Sequence, residues 1–438
     1  MRRQRKYYIE TYGCQMNEYD SELVAGILEE KNYTSVESFE KADAIFVNTC
    51  AIREGAEQRV MSRVGQFKSR KDEQPETIIG VLGCMAQNLK DKILTEQPYV
   101  DFVMGPDAYR DFSEVLDQYH EDEEETQVNT RLSRQEVYEG MFPARKEGIN
   151  AWIAITRGCD KFCTFCIVPY TRGRERSRSV ESVVEEVHRV VDQGFVEITL
   201  LGQNVNSYRY EDKEFPDLLE EVASVNGVKR IRYTSPHPHD VDDHLLQVMR
   251  DTPKICNHIH LPLQSGSTEV LERMNRTYTR DEYLRLVDTI HHYLPNCGIS
   301  TDIIVGFPGE THEQFMETVS MMEEVRYDNA YMFKYSARPH TKAIEYDGHI
   351  DEEVKSARLQ EIIELQNQIT LENNRSLIGS NAEVLVEKNS KKSDAQWMGR
   401  TDENRIVVFD KNDEAPRDLV NLRITDAHGV TLFGEHLN

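Results

Sequence analysis

From residue 7 to residue 335, short apolar runs alternate with stretches of helical periodicity, which restricts the chain to α/β architecture built on parallel sheets. Strands are expected over 7–11, 44–48, 78–82 and 102–104, each followed by a helix, over 16–31, 54–68, 89–95 and 107–119. In the first helix Leu23, Ile27 and Leu28 share one side. Four such units imply a doubly wound parallel sheet. A charged, poorly patterned stretch from 121 to about 147 reads as a solvated linker. A second series starts at Ala151, with strands over 152–156, 197–201, 230–233, 258–261, 300–305 and 330–335. Helices over 182–191, 218–222, 243–249, 282–293 and 313–325 fill the series. Six strand-led units resemble a partial, open (βα)6 version of the eight-fold barrel, with its site at the carboxyl ends of the strands. A charged helix over 352–375 carries Leu359, Ile362, Ile363 and Ile369 as its apolar stripe. After Gly379 the period changes to two, and strands over 382–386, 405–409, 419–424 and 430–434 suggest a small β-barrel. The domain boundaries expected are 1–122, a linker 123–144, then 145–375 and 376–438.

The thiols fall on this scaffold in two patterns. Cys159, Cys163 and Cys166 follow the first strand of the second series in Cys-x-x-x-Cys-x-x-Cys spacing. They supply three of the four ligands of a cubane iron–sulfur cluster. A structural zinc site needs a fourth residue, and no obvious Cys or His lies nearby in the sequence. Three thiolates therefore leave one iron open to a small molecule. Cys14, Cys50 and Cys84 each come just after a strand of the first series. Loops at the carboxyl ends of parallel strands share one edge, so three distant cysteines should converge there. Cys256 and Cys297 read as buried, inert thiols.

Composition narrows the rest. Eight cysteines in a 438-residue chain with no apolar signal region after the basic start argue for metal or catalysis in the cytoplasm rather than disulfides. No run of eighteen apolar residues predicts a membrane span. The net charge of −25 weighs against nucleic acid, although Arg172, Arg174, Arg176 and Arg178 gather just after the cysteine loop. His237, His239, His258 and His260 read as loop and strand residues rather than metal ligands.

Several words in the sequence carry a family resemblance. They are Thr11-Tyr12-Gly13-Cys14-Gln15-Met16-Asn17, Val47-Asn48-Thr49-Cys50-Ala51-Ile52-Arg53-Glu54 and Gly83-Cys84-Met85-Ala86-Gln87. The run from Pro169 to Arg178 and Leu200-Leu201-Gly202-Gln203-Asn204-Val205-Asn206 add to them. Over nearly its whole length the chain resembles the methylthiotransferases, radical S-adenosylmethionine (SAM) enzymes with an extra N-terminal cluster domain and a C-terminal TRAM domain. The continuation after Cys50 is closest to the branch acting on N6-isopentenyladenosine in tRNA. Sister branches act on a ribosomal-protein aspartate or on threonylcarbamoyl-adenosine in tRNA. A non-enzymatic iron–sulfur carrier or RNA-binding module is the reading of another class, and the barrel argues against it.

The resemblance implies a replacement of an aromatic C–H by C–S–CH3. Cys159, Cys163 and Cys166 are implied to hold a [4Fe–4S] cluster whose open iron chelates SAM, with reductive cleavage giving a 5′-deoxyadenosyl radical. Cys14, Cys50 and Cys84 are implied to hold a second [4Fe–4S] cluster that carries the sulfur, which another SAM methylates. Gln203, Asn204, Ser235, Gln264 and Asp302, at strand ends, are the implied SAM contacts. Arg172 and Arg174 are placed on the backbone of a tRNA anticodon stem-loop. An electron donor such as flavodoxin or ferredoxin is expected, and a monomer.

Overall fold

The computed structural model describes residues 4–50, 54–121, 126–145 and 147–437. The Ala51–Arg53 part of the second cysteine word and the acidic residues 122–125 lie outside them.

The first region runs β1 (Arg5–Tyr12), α1 (Gln15–Glu30), β2 (Tyr33–Ser35), β3 (Ala44–Thr49), α2 (Glu54–Glu73), β4 (Ile78–Gly83), α3 (Cys84–Glu96), β5 (Phe102–Met104), α4 (Phe112–Glu121) and β6 (Gln127–Asn129). The strands form one sheet in the order β2-β1-β3-β4-β5-β6, every ladder parallel. β3 and β4 are buried at every residue, as strands covered on both faces must be. β6 falls in the stretch expected to be a solvated linker. It extends the sheet instead, and beyond it Tyr138 is fully buried, with its hydroxyl donating to the Pro106 carbonyl.

The second region runs β7 (Asn150–Ala154), β8 (Thr156–Arg157), α5 (Val168–Thr171), β9 (Arg176–Ser177), α6 (Val180–Asp192), β10 (Glu197–Leu201), the ribbon β11 (Arg209–Tyr210) and β12 (Lys213–Glu214), α7 (Phe215–Ser224), β13 (Arg230–Tyr233), α8 (Asp243–Asp251), β14 (His258–His260), α9 (Thr268–Arg273), α10 (Arg280–Tyr293), β15 (Gly298–Val305), α11 (His312–Val325), β16 (Asn329–Lys334) and α12 (Glu352–Ser376). Helices start where side chains cap them: Ser179 accepts from the Ser182 amide, and Thr279 with Glu282 forms a capping box. β7-β10-β13 and β14-β15-β16 are two parallel triplets. A bridge from Ile231 to Ile255 links them into an open six-strand barrel. Among the described residues no ladder joins β16 back to β7. Ile153, Ile198, Leu200, Ile231, Ile259 and Ile303 point to the helices and make the main core. α12 buries Ile362 and Ile369 of its expected stripe, but also Lys355, Arg358 and Gln366.

The third region is β17 (Asn381–Asn389), β18 (Gln396–Thr401), β19 (Ile406–Asp410), β20 (Leu419–His428) and β21 (Thr431–His436), closed in the order β17-β18-β19-β21-β20. β18 was not legible in the period-two pattern. This small barrel docks on the amino ends of the central strands. Arg230 and Arg232 donate to the carbonyls of Glu383, Arg400, Thr401 and Asp402, and Arg405 pairs with Asp328 at 2.5 Å. No helix among the described residues is long and apolar enough to cross a membrane.

Candidate functional site

Cys14 caps α1 just after β1, Cys50 follows β3, and Cys84 opens α3 at the end of β4. β1, β3 and β4 are sheet neighbours, so the three thiols meet at one edge. Gly13 permits the approach, because a Cβ there would stand 2.8 Å from that of Cys50. The Cys50 thiol donates to Cys14, and with Arg172 and the Asn17 and Met16 amides this holds the Cys14 pKa down at about 6 against the opposing effect of burial. Burial pushes the Cys84 thiol up, with Arg172 opposing. Asn17 braces the group: its Oδ1 lies 3.4 Å from Cys14 Sγ and its Nδ2 donates to Asn48 Oδ1 at 3.1 Å.

The second triad lies on the loop after β8. Gly158, at φ +76°, makes the turn, and a Cβ there would stand 2.1 Å from the Arg174 carbonyl oxygen. The Gly158 amide donates to Gln203 Oε1 at 2.6 Å, so Gln203, expected at SAM, anchors the cysteine loop. Arg276 donates to Cys163 Sγ at 3.3 Å. Burial raises the Cys159 thiol to about 11 and Cys166 to about 12, with the neighbouring Cys163 adding to both. A cavity of about 300 Å³ opens here, bounded by Cys163, Cys166, Phe162, Tyr170, Asn275 and Tyr346.

No three His, Cys, Asp or Glu side chains among the described residues close around a single metal ion. A cubane takes one thiolate per iron, so its ligands stand wider than those of one ion, and two all-thiol triads fit that group.

The two loops abut. Ile167 packs on Cys84, and α5, at the end of the second cysteine loop, lies against α3. Among the other expected contacts, Asn204 is buried and donates to Asp240, which also receives Lys161 at 2.7 Å. Asn204 Oδ1 has no hydrogen-bond partner. Ser235 and Gln264 follow β13 and β14 with φ of +58° and +67°, left-handed conformations uncommon for residues other than glycine. Asp302, on β15, faces His260 at 3.3 Å, and Ser300 bridges His260 to His258.

The arginine run divides. Arg174 is exposed, over the Phe162 ring at 4.6 Å. Arg172, expected on an RNA backbone, is only 2% exposed. Its Nη2 donates to Asp20 at 2.7 Å and its Nε to Cys84 Sγ at 3.2 Å, which removes it from any phosphate. Burial opposes its charge, but Asp20, Cys84 and Cys14 hold its pKa well above the ordinary guanidinium value. Arg176 pairs with Asp107, and Arg178 with Glu186. Arg157 pairs with Asp107 and lies 3.5 Å over the Tyr138 ring. The run is thus mainly a buried seam between the first two regions. Asp20 and Arg276 went unnoticed in the sequence, where nothing separates them from surface residues, and Asn17 stood there only as part of a family word.

Comparison with known proteins follows the same three regions. The model described as "Uncharacterized protein family UPF0004" matches residues 6–105, that of the "Radical SAM superfamily" residues 153–322, and that of the "TRAM domain" residues 375–437. A protein of Bacteroides fragilis (strain YCH46), named tRNA-2-methylthio-N(6)-dimethylallyladenosine synthase, is 48% identical over 99% of this chain and 96% of its own length. One of the same name from Chloroherpeton thalassium is 47% identical over the same shares. Among solved structures, the radical S-adenosylmethionine methyltransferase TsrM from Kitasatospora setae covers 78% of this chain and 77% of its own. Its TM-score is 0.59 at 14% identity, a likeness of fold.

Proposed function

The chain belongs to the tRNA-2-methylthio-N(6)-dimethylallyladenosine synthase family of radical SAM methylthiotransferases, and we propose that it converts N6-isopentenyladenosine beside the anticodon to the 2-methylthio derivative. SAM and two [4Fe–4S] clusters are the cofactors that go with this family. Cys159, Cys163 and Cys166 would hold one cluster, and Cys14, Cys50 and Cys84 the other. When bound, the first supplies reductive cleavage of SAM and the second presents the sulfur to be inserted.

The chain's own residues do the positioning. Gln203 fixes the turn at Gly158, and Arg276 lies on Cys163. Asn204, Ser235 and Gln264 follow the carboxyl ends of β10, β13 and β14, Asp302 lies within β15, and together they are where SAM would be gripped. Phe162 and Tyr170 offer aromatic faces beside the cysteines, suited to an extruded base. An unpaired anticodon-loop base is extruded at a cost of only a few kcal/mol. Arg174 is the exposed cation for the RNA backbone, in place of Arg172. With the first unit carried past residue 122 to include β6, the units 145–375 and 376–438, a flavodoxin or ferredoxin as donor, a monomeric state and a cytoplasmic setting complete the proposal.

The observation that carries this reading is the contact of the two cysteine loops through Cys84, Ile167 and Arg172, which puts the two triads side by side. The test offers the reconstituted enzyme an isopentenylated anticodon stem-loop, its unmodified counterpart and a small-subunit ribosomal protein, with nucleosides and peptides read by mass spectrometry. Methylthiolation of the isopentenylated RNA is expected. Turnover of the ribosomal protein and not the RNA would overturn the substrate assignment.

A further inference from the structure

Between the first two regions lies a buried charge cluster that does not balance within itself. Arg157, Arg172 and Arg176 are three buried cations. Asp20 and Asp107, both fully buried, are the carboxylates that meet them. Glu136, nearby, is taken by a two-pronged pair with Arg110. Against these two carboxylates one positive charge is in excess, and the thiols of Cys14 and Cys84 are the further groups that face Arg172. Arg172 Nη1 and Arg157 Nε are buried without a hydrogen-bond partner. A buried cation without a matching anion is strongly destabilising, so the site is built for negative charge on the neighbouring cysteine sulfurs. The group in reach is the Cys84 sulfur, on which Arg172 Nε points at 3.2 Å.

We propose that Arg172 is the counter-cation of the N-terminal cluster: resting on its Cys84 ligand, it favours the more negative, reduced form and raises that cluster's reduction potential. Net charge and hydrogen bonds to sulfur are what set such potentials. The inference rests on the reading that Cys14, Cys50 and Cys84 hold a cluster. Arg172 is a positioning residue here, since it acts through Cys84. It also belongs to the other loop, because the Cys159 amide donates to the neighbouring Gly173 carbonyl at 3.2 Å. The charge of one site is thereby held by the backbone of the other.

The experiment uses the full chain with Cys159, Cys163 and Cys166 replaced by Ala, reconstituted with iron and sulfide under argon. About four irons should remain per chain, those of one cubane; a parent that loads none would overturn the N-terminal cluster itself, a different failure from that of Arg172. In this parent, Arg172→Gln, Arg172→Lys and Asp20→Asn are compared by electron paramagnetic resonance during a mediated redox titration. Arg172→Gln should shift the reduction equilibrium at least tenfold toward the oxidised form, a fall of about 59 mV for one electron. Arg172→Lys should retain part of the parent value. Asp20→Asn, which removes the competing anion, should move the potential upward, and this arm stands even where Arg172→Gln fails to load iron. An unchanged potential in Arg172→Gln, or a fall or no change in Asp20→Asn, would overturn the proposal.

Discussion

The two thiol triads stand on different regions and carry different steps of the proposed reaction, and their activities should therefore fail separately. Replacing Cys159, Cys163 and Cys166 by Ala should abolish 5′-deoxyadenosine formation from SAM and dithionite. Replacing Cys14, Cys50 and Cys84 should leave it standing while the methylthiolated nucleoside disappears; chromatography of both products decides. Loss of both activities in the second variant, with its fold intact by circular dichroism, would assign that triad a structural role. The thiols themselves were legible because strand-end position is a local property that hydrophobic pattern reveals. The arginines after them were not. A run of alternate arginines looks the same whether it meets RNA or the protein's own interior. What turns Arg172 inward is Asp20, 152 positions away, and Asp107 holds Arg176 across 69. The brace that Gln203 gives the Gly158 turn was hidden for the same reason, since its partner is a backbone amide in another loop.

Among the elements, those with a strong period were placed to within a few residues, and the misses are short or polar. β6 has three residues and β18 contains Gln396, Gly399 and Arg400, so neither carries an alternating apolar signal. Both exist because a neighbouring edge needs a partner. α12 shows the opposite effect, a helix that packs partly through paired polar groups. Its Arg358 donates at 2.6 Å to Glu310, which in turn accepts from the Gly306 amide. Arg358→Ala should cost about 3–5 kcal/mol, as breaking a buried pair does, and adding Glu310→Gln should recover part of it. Thermal melts of the single and double variants measure this, and an equal or greater loss in the double variant would count against the coupling. α1 carries a pH-dependent contact. Burial raises Glu22 to about 7, with Arg145 opposing. A raised acid contributes its stability fully below the unfolded value near 4.5 and loses it as pH rises through 7. Glu22→Gln should accordingly gain in melting temperature relative to the parent between pH 5 and pH 8 (~, the window of that titration). A constant difference across that range would show that the carboxyl does not titrate there.

At the scale of the molecule, three regions meet in two contrasting ways. The first joins the barrel through buried arginines beside the cysteines; the third joins it through arginines that reach backbone carbonyls at the far end. The third region was readable from the change of period after Gly379, whereas the first two share one pattern and were divided only by the charged stretch after residue 121. Their docking was not, because Arg230 and Arg232 lie in a strand whose pattern concerns only the barrel core. That docking turns the protein into a gauge of length. The cysteine loops and the small barrel lie at opposite ends of the central strands, the longest of which, the eight-residue β15, is about 26 Å long. A nucleoside can occupy one end only, whereas a hairpin with a sufficient stem can touch both. Stem-loops extended one base pair at a time should show KM falling until that span is covered and then levelling, with kcat unchanged. A KM indifferent to stem length would mean that the reaction measures nothing beyond the loop.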